Sequence, residues 1–153
     1  MSPVADTNIL VFACRWCGLI GADGAGRRRT ELPASFRVIP VECAGYVEPD
    51  AVIRAFASGA TSRRARSRAA GVAVLGCHVG GCRFNDANHP ALKRLELLRT
   101  LLDTTGIGGD RLLLGFGTAH GHHQWADTIR DFHRHVEGLP SMESWMTSVA
   151  GDR

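Results

Sequence analysis

The chain contains four short apolar runs, rich in Val, Ile, Leu and Phe, that alternate with segments of helical periodicity. Short runs with almost no polar interruption are typical of parallel strands that are buried on both faces of a sheet. Alternating strands and helices predict crossover connections between parallel neighbours. The predicted strands cover residues 8–13 (NILVFA), 36–42 (FRVIPVE), 71–76 (GVAVLG) and 111–117 (RLLLGFG). The pattern therefore predicts an α/β protein with a small four-stranded parallel sheet.

Three helical patterns connect or follow these strands. The first begins at Pro49 and ends at Gly59, because proline suits the first turn of a helix and glycine suits its end. The second covers residues 90–103 and the third is centred on residues 125–136, each with an apolar stripe at helical spacing. The stripes consist of Leu92, Leu95, Leu98, Leu102, Trp125, Ile129, Phe132 and Val136. These crossover helices predict a flavodoxin-like three-layer fold.

Two further segments complete the predicted organisation. The glycine-rich residues 18–26 (GLIGADGAG) predict a tight turn and an irregular short helix, since their spacing does not match the Gly-x-Gly-x-x-Gly dinucleotide pattern. Residues 141–153 form a C-terminal amphipathic tail, whose apolar face is expected to pack on the domain rather than bind a partner. The face consists of Met142, Trp145, Met146 and Val149. We thus expect one α/β domain over residues 1–140, followed by this tail.

The composition fits one globular domain with an ordinary core. Of the 153 residues, 44% are apolar and 22% are charged. No stretch approaches 18 uninterrupted apolar residues and no export signal is apparent, so we expect a cytoplasmic protein without membrane insertion. The net charge of +3 predicts no nucleic-acid partner. In the cytoplasm the thiols should be reduced or bound to metal.

The five cysteines all follow predicted strands. Cys14 and Cys17 follow the first strand, Cys43 the second, and Cys77 and Cys82 the third. The carboxyl ends of parallel strands meet at one edge of the sheet, where open α/β folds bind their ligands. Soft thiolate ligands select zinc or iron–sulfur clusters. Because the thiols come from three separate loops rather than two compact pairs, the arrangement favours an iron–sulfur cluster held by four of them.

The sequence around these cysteines resembles one family. The motifs CRWCGLIGADGAG, CAGYVEPD and GCHVGGCRF follow one another as in the small iron–sulfur (delta) subunit of methyl-viologen-reducing hydrogenase, a family associated with heterodisulfide reductase. The resemblance covers most of the chain. It departs from the family at the arginine-rich insertion 61–71 (TSRRARSRAAG), expected as a solvated loop that can also meet an acidic partner face. A second departure is Gly81, Arg83 and Phe84, where the family has an acidic-basic-aromatic ending, so the docking partner is expected to differ from the archaeal one.

The resemblance implies an electron-transfer subunit without substrate chemistry of its own. It implies a 2Fe-2S cluster and electron relay between a hydrogenase or formate dehydrogenase-type subunit and a heterodisulfide reductase-like flavoprotein. The implied cluster-binding residues are four of Cys14, Cys17, Cys43, Cys77 and Cys82. The spacing leaves two groupings open. Either Cys14 with Cys17 and Cys77 with Cys82 each hold one iron, or Cys43 is a ligand and Cys14 or Cys17 is spare.

An enzymatic interpretation competes with the relay. Cys77-x5-Arg83 after a strand matches the anion-binding loop of cysteine-based phosphatases and arsenate reductases, in which a thiolate attacks and an arginine binds the oxyanion. The hydroxyl residue that usually follows the arginine is Phe84 here. This substitution removes the group that activates the leaving thiolate, and the interpretation leaves the other cysteines without a role.

Several histidines are also expected at the edge that carries the cysteines. His120, His122 and His123 follow the fourth strand, and histidine ligation would raise the potential of a cluster, as in Rieske centres. A Rieske site needs compact repeated Cys and His loops, and none occurs in the sequence. We therefore expect these side chains at an exposed helix start, and His78 beside the ligands rather than among them.

Overall fold

The computed structural model describes residues 7–58, 68–116 and 121–151. Within these ranges, four strands alternate with the first three of five α-helices, and the last two helices follow the fourth strand. The elements are β1 (Ile9–Cys14), α1 (Gly18–Arg27), β2 (Phe36–Val41), α2 (Pro49–Ser58), β3 (Gly71–Gly76), α3 (Asn88–Thr104), β4 (Leu112–Phe116), α4 (His122–Glu137) and α5 (Met142–Gly151). Two 3-10 turns, Ala44–Tyr46 and Gly109–Arg111, precede α2 and β4.

The four strands form one parallel sheet in the order β2-β1-β3-β4. At its centre Phe12 lies opposite Ile39 on one side and Val74 on the other. The predicted four-stranded parallel sheet is therefore confirmed. Every residue of β1 and β3 is buried, whereas β2 and β4 are partly exposed. The predicted burial on both faces therefore holds for the central strands β1 and β3. It does not hold for the edge strands β2 and β4, each of which has a neighbouring strand on one side only.

Helices cover both faces of the sheet and create two apolar cores. Alternate residues of β1 point to opposite faces, so Leu10 and Phe12 enter one core while Ile9 and Val11 enter the other. The first core packs against α2, α3 and α5, and the second against α1 and α4. In the second, Trp125 is 1% exposed and meets the ring of Phe36 edge to face at 5.6 Å. The fold is the predicted α/β three-layer arrangement.

The glycine-rich segment differs from its prediction. Residues 18–26 belong to a regular ten-residue helix, α1, and not to a turn with an irregular short helix. Its glycines allow close packing, since a Cβ on Gly18 would lie 2.9 Å from the carbonyl oxygen of Leu75. Gly21 and Ala25 are buried on the same helix. Tertiary packing of this small-residue face outweighs the poor helix propensity of glycine.

The other helices follow their predicted patterns, with α3 beginning two residues earlier than expected. In the tail, Met142 is buried and Trp145 packs against the first core, so the predicted packing role of α5 is confirmed for these side chains. Within the described ranges, no helix combines the length and apolar character that a membrane span requires. Several predicted features lie outside the described residues, namely Gly59, residues 61–67, Gly117 and His120.

The amino end of the sheet is closed by a buried arginine. Arg111, 4% exposed, donates to the carbonyl oxygens of Ile107 at 2.9 Å and Ala70 at 3.0 Å, and also to that of Pro140. Burial lowers the pKa of Arg111, and the charge of Asp110 acts in the opposite direction. The side chain thereby joins the segments before β3, β4 and α5.

Candidate metal centre

Three buried cysteines meet at the carboxyl edge of the sheet. The Sγ atoms of Cys14, Cys17 and Cys77 all lie within 4.8 Å of one another, and each residue is at most 3% exposed. The Sγ atoms of Cys14 and Cys77 are 3.9 Å apart. Two thiolates bound at about 2.3 Å to one tetrahedral ion would be about 3.8 Å apart. The separation of these two sulfurs therefore fits ligands of a shared ion.

The sulfurs of Cys17 and Cys77 are joined as a disulfide, with their Cα atoms 5.6 Å apart. This pairing differs from the expectation that the thiols are reduced or metal-bound. A disulfide and a pair of thiolate ligands both require the fold to bring two sulfurs together. The same backbone positions of Cys17 and Cys77 are therefore suited to the oxidised pair and to two reduced ligands. Metal binding requires the reduced state, because the ligand is the thiolate.

The remaining two cysteines lie beside this group. Cys82 is half-buried and packs against Cys14, Cys17 and Cys77. Burial raises the pKa of the Cys43 thiol, the amide of Gly45 lowers it, and Cys82 and Cys14 raise it again. Since these effects require proximity, Cys43 belongs to the same edge. The structure thus brings together all five cysteines that the sequence singled out.

The sheet topology explains how separate loops reach one place. The strand order reverses between β1 and β3, and such a switch point opens a crevice at the carboxyl ends of the strands. Cys14 ends β1, and Cys77 directly follows β3. Cys17 occupies the N-cap position of α1, one helical turn beyond Cys14. The thiols therefore converge at the position where this fold class binds ligands.

Two side chains from α3 hold the loops that carry the cysteines. Asn88 donates to the carbonyl oxygens of Cys77 and His78, both at 2.9 Å. Arg94 donates to the carbonyl oxygen of Gly45 at 2.9 Å, and the Gly45 amide in turn donates to the Sγ of Cys43 at 3.3 Å. Nothing in the sequence pattern pointed to Asn88 or Arg94. An asparagine at a helix start is usually an end cap, and nothing in its spacing indicates that it bonds to a preceding loop.

Exposed aromatic and apolar side chains surround the thiols. Trp16, Tyr46, Val79 and Phe84 are between 42% and 73% exposed and lie in the loops after β1, β2 and β3. The guanidinium of Arg83 lies 4.7 Å from the ring centroid of Trp16, as a cation–π pair. Aromatic and arginine side chains are enriched at the centres of protein interfaces. The loops that carry the cysteines therefore expose a surface suited to a protein contact.

The geometry disfavours the phosphatase interpretation. The Cys77 sulfur is buried against Cys17 and Cys14, and the Arg83 guanidinium faces the indole of Trp16. A nucleophilic thiolate needs access to its substrate together with an arginine that binds the oxyanion. The contacts of these two side chains are not those of an anion-binding loop.

The histidines follow the prediction in part, because His123 is exposed at the helix start, whereas His122 is half-buried and its buried Nε2 atom has no hydrogen-bond partner among the described residues. His78 is exposed, and its backbone carbonyl, rather than its ring, accepts the bond from Asn88. His122 and His123 begin α4 with their rings 4.0 Å apart. In the part of the chain that the structure describes, the three potential ligands that lie close together are all cysteines. The donor set is therefore soft and sulfur-rich, which fits an iron–sulfur cluster or zinc.

Comparisons with known proteins agree with this chemistry. Residues 9–140 match the family model described as methyl-viologen-reducing hydrogenase, delta subunit. An iron–sulfur subunit of the F420-non-reducing hydrogenase of Archaeoglobus profundus is 34% identical over 139 residues, which cover 91% of this chain and 95% of that protein. The vhc iron–sulfur subunit of the F420-non-reducing hydrogenase of Methanococcus voltae is 31% identical over 134 residues, covering 88% and 87%.

A second kind of relative contains a similar unit within a longer chain. It is one chain of the ferredoxin/F(420)H(2)-dependent CoB-CoM heterodisulfide reductase of Methanosarcina acetivorans, 30% identical over 131 residues, which cover 86% of this chain and 15% of that protein. The similarity thus connects hydrogenase iron–sulfur subunits with heterodisulfide reductase. Together with the family match over nearly the whole described fold, it shows that this chain belongs to the methyl-viologen-reducing hydrogenase delta subunit family.

Proposed function

We propose that the protein is a non-catalytic electron-transfer subunit that holds a 2Fe-2S cluster at the carboxyl edge of its sheet. The observation that carries the proposal is the convergence of five cysteines from three strand ends, with three buried sulfurs within 4.8 Å of one another. Cysteine ligands from four positions are what such a cluster needs. The names of the hydrogenase and heterodisulfide reductase relatives support the same chemistry.

The proposed ligands are Cys14, Cys17 and Cys77, joined by one member of the neighbouring pair Cys43 and Cys82. The first three are supported by burial and by the short distances between their sulfurs. The fourth ligand comes from the pair because both thiols border the group. The remaining thiol then lies next to the ligands and contributes to their surroundings.

When bound, a two-iron cluster supplies one-electron redox chemistry. The chain contributes an environment that excludes water from three of its sulfurs, and a half-exposed position at Cys82. The exposed side chains around that position give the protein a contact surface. The relay then needs no catalytic residue, because the chain only receives and passes on electrons.

We propose two kinds of partner for this relay. The donor is a hydrogenase or formate dehydrogenase-type subunit, which follows from the hydrogenase names of the separate-chain relatives. The acceptor is a heterodisulfide reductase-like flavoprotein, since a similar unit occurs within a longer heterodisulfide reductase chain. We also propose a cytoplasmic location, because free thiolates persist in a reducing compartment.

The test is anaerobic purification and reconstitution with iron and sulfide, followed by metal analysis and electron paramagnetic resonance. We expect about two iron and two sulfide per chain and a paramagnetic signal after reduction. Stoichiometric zinc without sulfide would replace the relay by a structural metal site. An iron-free protein that hydrolyses an aryl phosphate would overturn the proposal and restore the phosphatase interpretation.

A further inference from the structure

Asn88 is a buried amide whose hydrogen bonds both go to the loop after β3. It is 1% exposed, and its Nδ2 atom donates at 2.9 Å to the carbonyl oxygens of Cys77 and His78. These are consecutive carbonyl groups, so one side chain holds the peptide after Cys77 and, together with the Gly81 amide that donates to the His78 carbonyl oxygen at 3.0 Å, the next peptide as well.

The position of Asn88 differs from that of an ordinary helix cap. The N-cap of α3 is Ala87, and Asn88 itself is the first helical residue. Its Oδ1 atom is buried and accepts no hydrogen bond from the described residues. A buried unpaired oxygen is unfavourable for stability. The orientation of the Asn88 side chain therefore satisfies its Nδ2 group, which bonds to the loop after β3, and leaves its Oδ1 atom without a hydrogen bond.

The two hydrogen bonds from Asn88 orient the N–H groups of the same two peptides as well as their carbonyl groups. A trans peptide is planar, so the N–H group points away from the carbonyl oxygen of the same peptide. With both carbonyl groups directed to Asn88, the N–H groups of His78 and Val79 are directed away from it together. Successive N–H groups on one side form a concavity that favours negative charge. The loop after β2 offers a parallel, in which the Gly45 amide donates to the Cys43 sulfur at 3.3 Å.

We propose that Asn88 is a positioning residue that sets the reduction potential of the cluster and its retention, by orienting the peptides that follow Cys77. The inference rests on the proposed function, because it requires a cluster at this edge. Hydrogen bonds and dipoles directed at cluster sulfurs stabilise the more negatively charged, reduced state. Asn88 thereby raises the potential without contacting the metal.

The test compares the unaltered protein with Asn88→Leu, which has a similar shape but no donor. Both proteins are reconstituted anaerobically, the loss of iron to a chelator is followed, and the potential is measured by redox titration with paramagnetic resonance. We expect the variant to retain iron about tenfold less well, the usual effect of losing a group that orients a ligand. We also expect its potential to be more negative.

Arg111→Met is the matched control, because Arg111 also donates to backbone carbonyl groups but lies at the other end of the sheet. It should lower stability and leave the potential of the folded protein unchanged. If Asn88→Leu does not fold, Asn88→Ser takes its place, with the same expected direction of both changes.

Two results would overturn the inference. If an Asn88 variant keeps the potential and iron retention of the unaltered protein, or loses stability alone, Asn88 has a structural role and the proposed function stands. If the unaltered protein binds no iron–sulfur cluster, the proposed function and this inference both fail. The two failures are distinguished by the iron content of the unaltered protein.

Discussion

The two ends of the sheet are built for different purposes. The carboxyl end carries all five cysteines, with Cys14 as the last residue of β1 and the others after the strands, together with exposed Trp16, Tyr46 and Phe84. The amino end has no cysteine and is closed by Arg111, which also bonds to Pro140 before α5, and by the packing of α5 on the first core. In the proposed function the first end provides the cluster ligands and a contact surface, whereas the second holds the chain segments together. Function and stability should therefore respond to different substitutions.

The two ends also differ in how buried polar side chains are satisfied. Arg111 donates to three carbonyl groups from three segments. Asn88 also donates to carbonyl groups, yet its oxygen has no partner among the described residues. Fully paired buried groups are typical of structural roles, and unpaired ones call for a functional explanation. The comparison predicts that changes at the carboxyl end affect the cluster before they affect the fold.

The largest expected effect is that of Cys77→Ser at the carboxyl end. Cys77 lies within 4.8 Å of both Cys14 and Cys17, sulfur to sulfur, so its loss removes the thiol that contacts the other two. We expect the variant to bind no cluster after reconstitution, because serine is a poor ligand for this soft donor set. Iron and sulfide content and visible absorption check this result.

The same measurement on Cys43→Ser and Cys82→Ser identifies the fourth ligand. One of these variants should lose the cluster and the other should keep it with a changed potential. Circular dichroism of each variant serves as the control for folding. Full iron content in Cys77→Ser would contradict the assignment of the centre to this edge.

The second prediction concerns the amino end. Arg111→Met removes the donors that join three chain segments and leaves their buried carbonyl groups unpaired. We expect the free energy of unfolding to fall by about 3 kcal/mol, as is usual when a buried charged donor is lost. Denaturant titration measures the change. The cluster content per folded chain should stay the same. A loss of iron without a loss of stability would contradict the conclusion that the amino end supports the fold and not the cluster.

Much of the fold and of the site was predictable from sequence, for identifiable reasons. The apolar runs and the positions of Cys14, Cys43 and Cys77 after strands led to the sheet and to the shared edge, because both depend on local pattern and parallel topology. The regular helix α1 was missed, because its stability comes from packing with distant elements. The role of Asn88 was missed for the same reason, since its hydrogen bonds reach back across ten and eleven residues.

A third, smaller effect is expected at the apolar surface of the amino end. Met142 and Trp145 of α5 line a cavity of about 550 Å³ together with Phe56 of α2 and Leu98 of α3. Trp145 is half-buried, so Trp145→Ala should lower the free energy of unfolding by about 2 kcal/mol, below the value for a fully buried tryptophan. Denaturant titration checks the change, with Leu97→Ala at an exposed position of α3 as control. Equal effects of the two variants would contradict the packing role of α5.

The smallest effect is a pH dependence at His122, which begins α4. Desolvation, followed by the charges of Arg28 and His123, lowers the pKa of His122 below its ordinary value of 6.5. The folded protein therefore favours the neutral ring, and the unfolded chain binds the proton more readily. The contribution of His122 to stability is complete above the unfolded pKa and is lost as the pH falls towards the folded pKa.

His122→Gln tests this contribution, because glutamine does not titrate in this range. Between about pH 7 and pH 5, stability should fall less in the variant than in the unaltered protein, and denaturant titrations at several pH values measure the difference. Iron content and potential should not change, because the close group of potential ligands consists of cysteines. If His122→Gln binds no cluster, His122 is a ligand and part of the metal centre lies on α4.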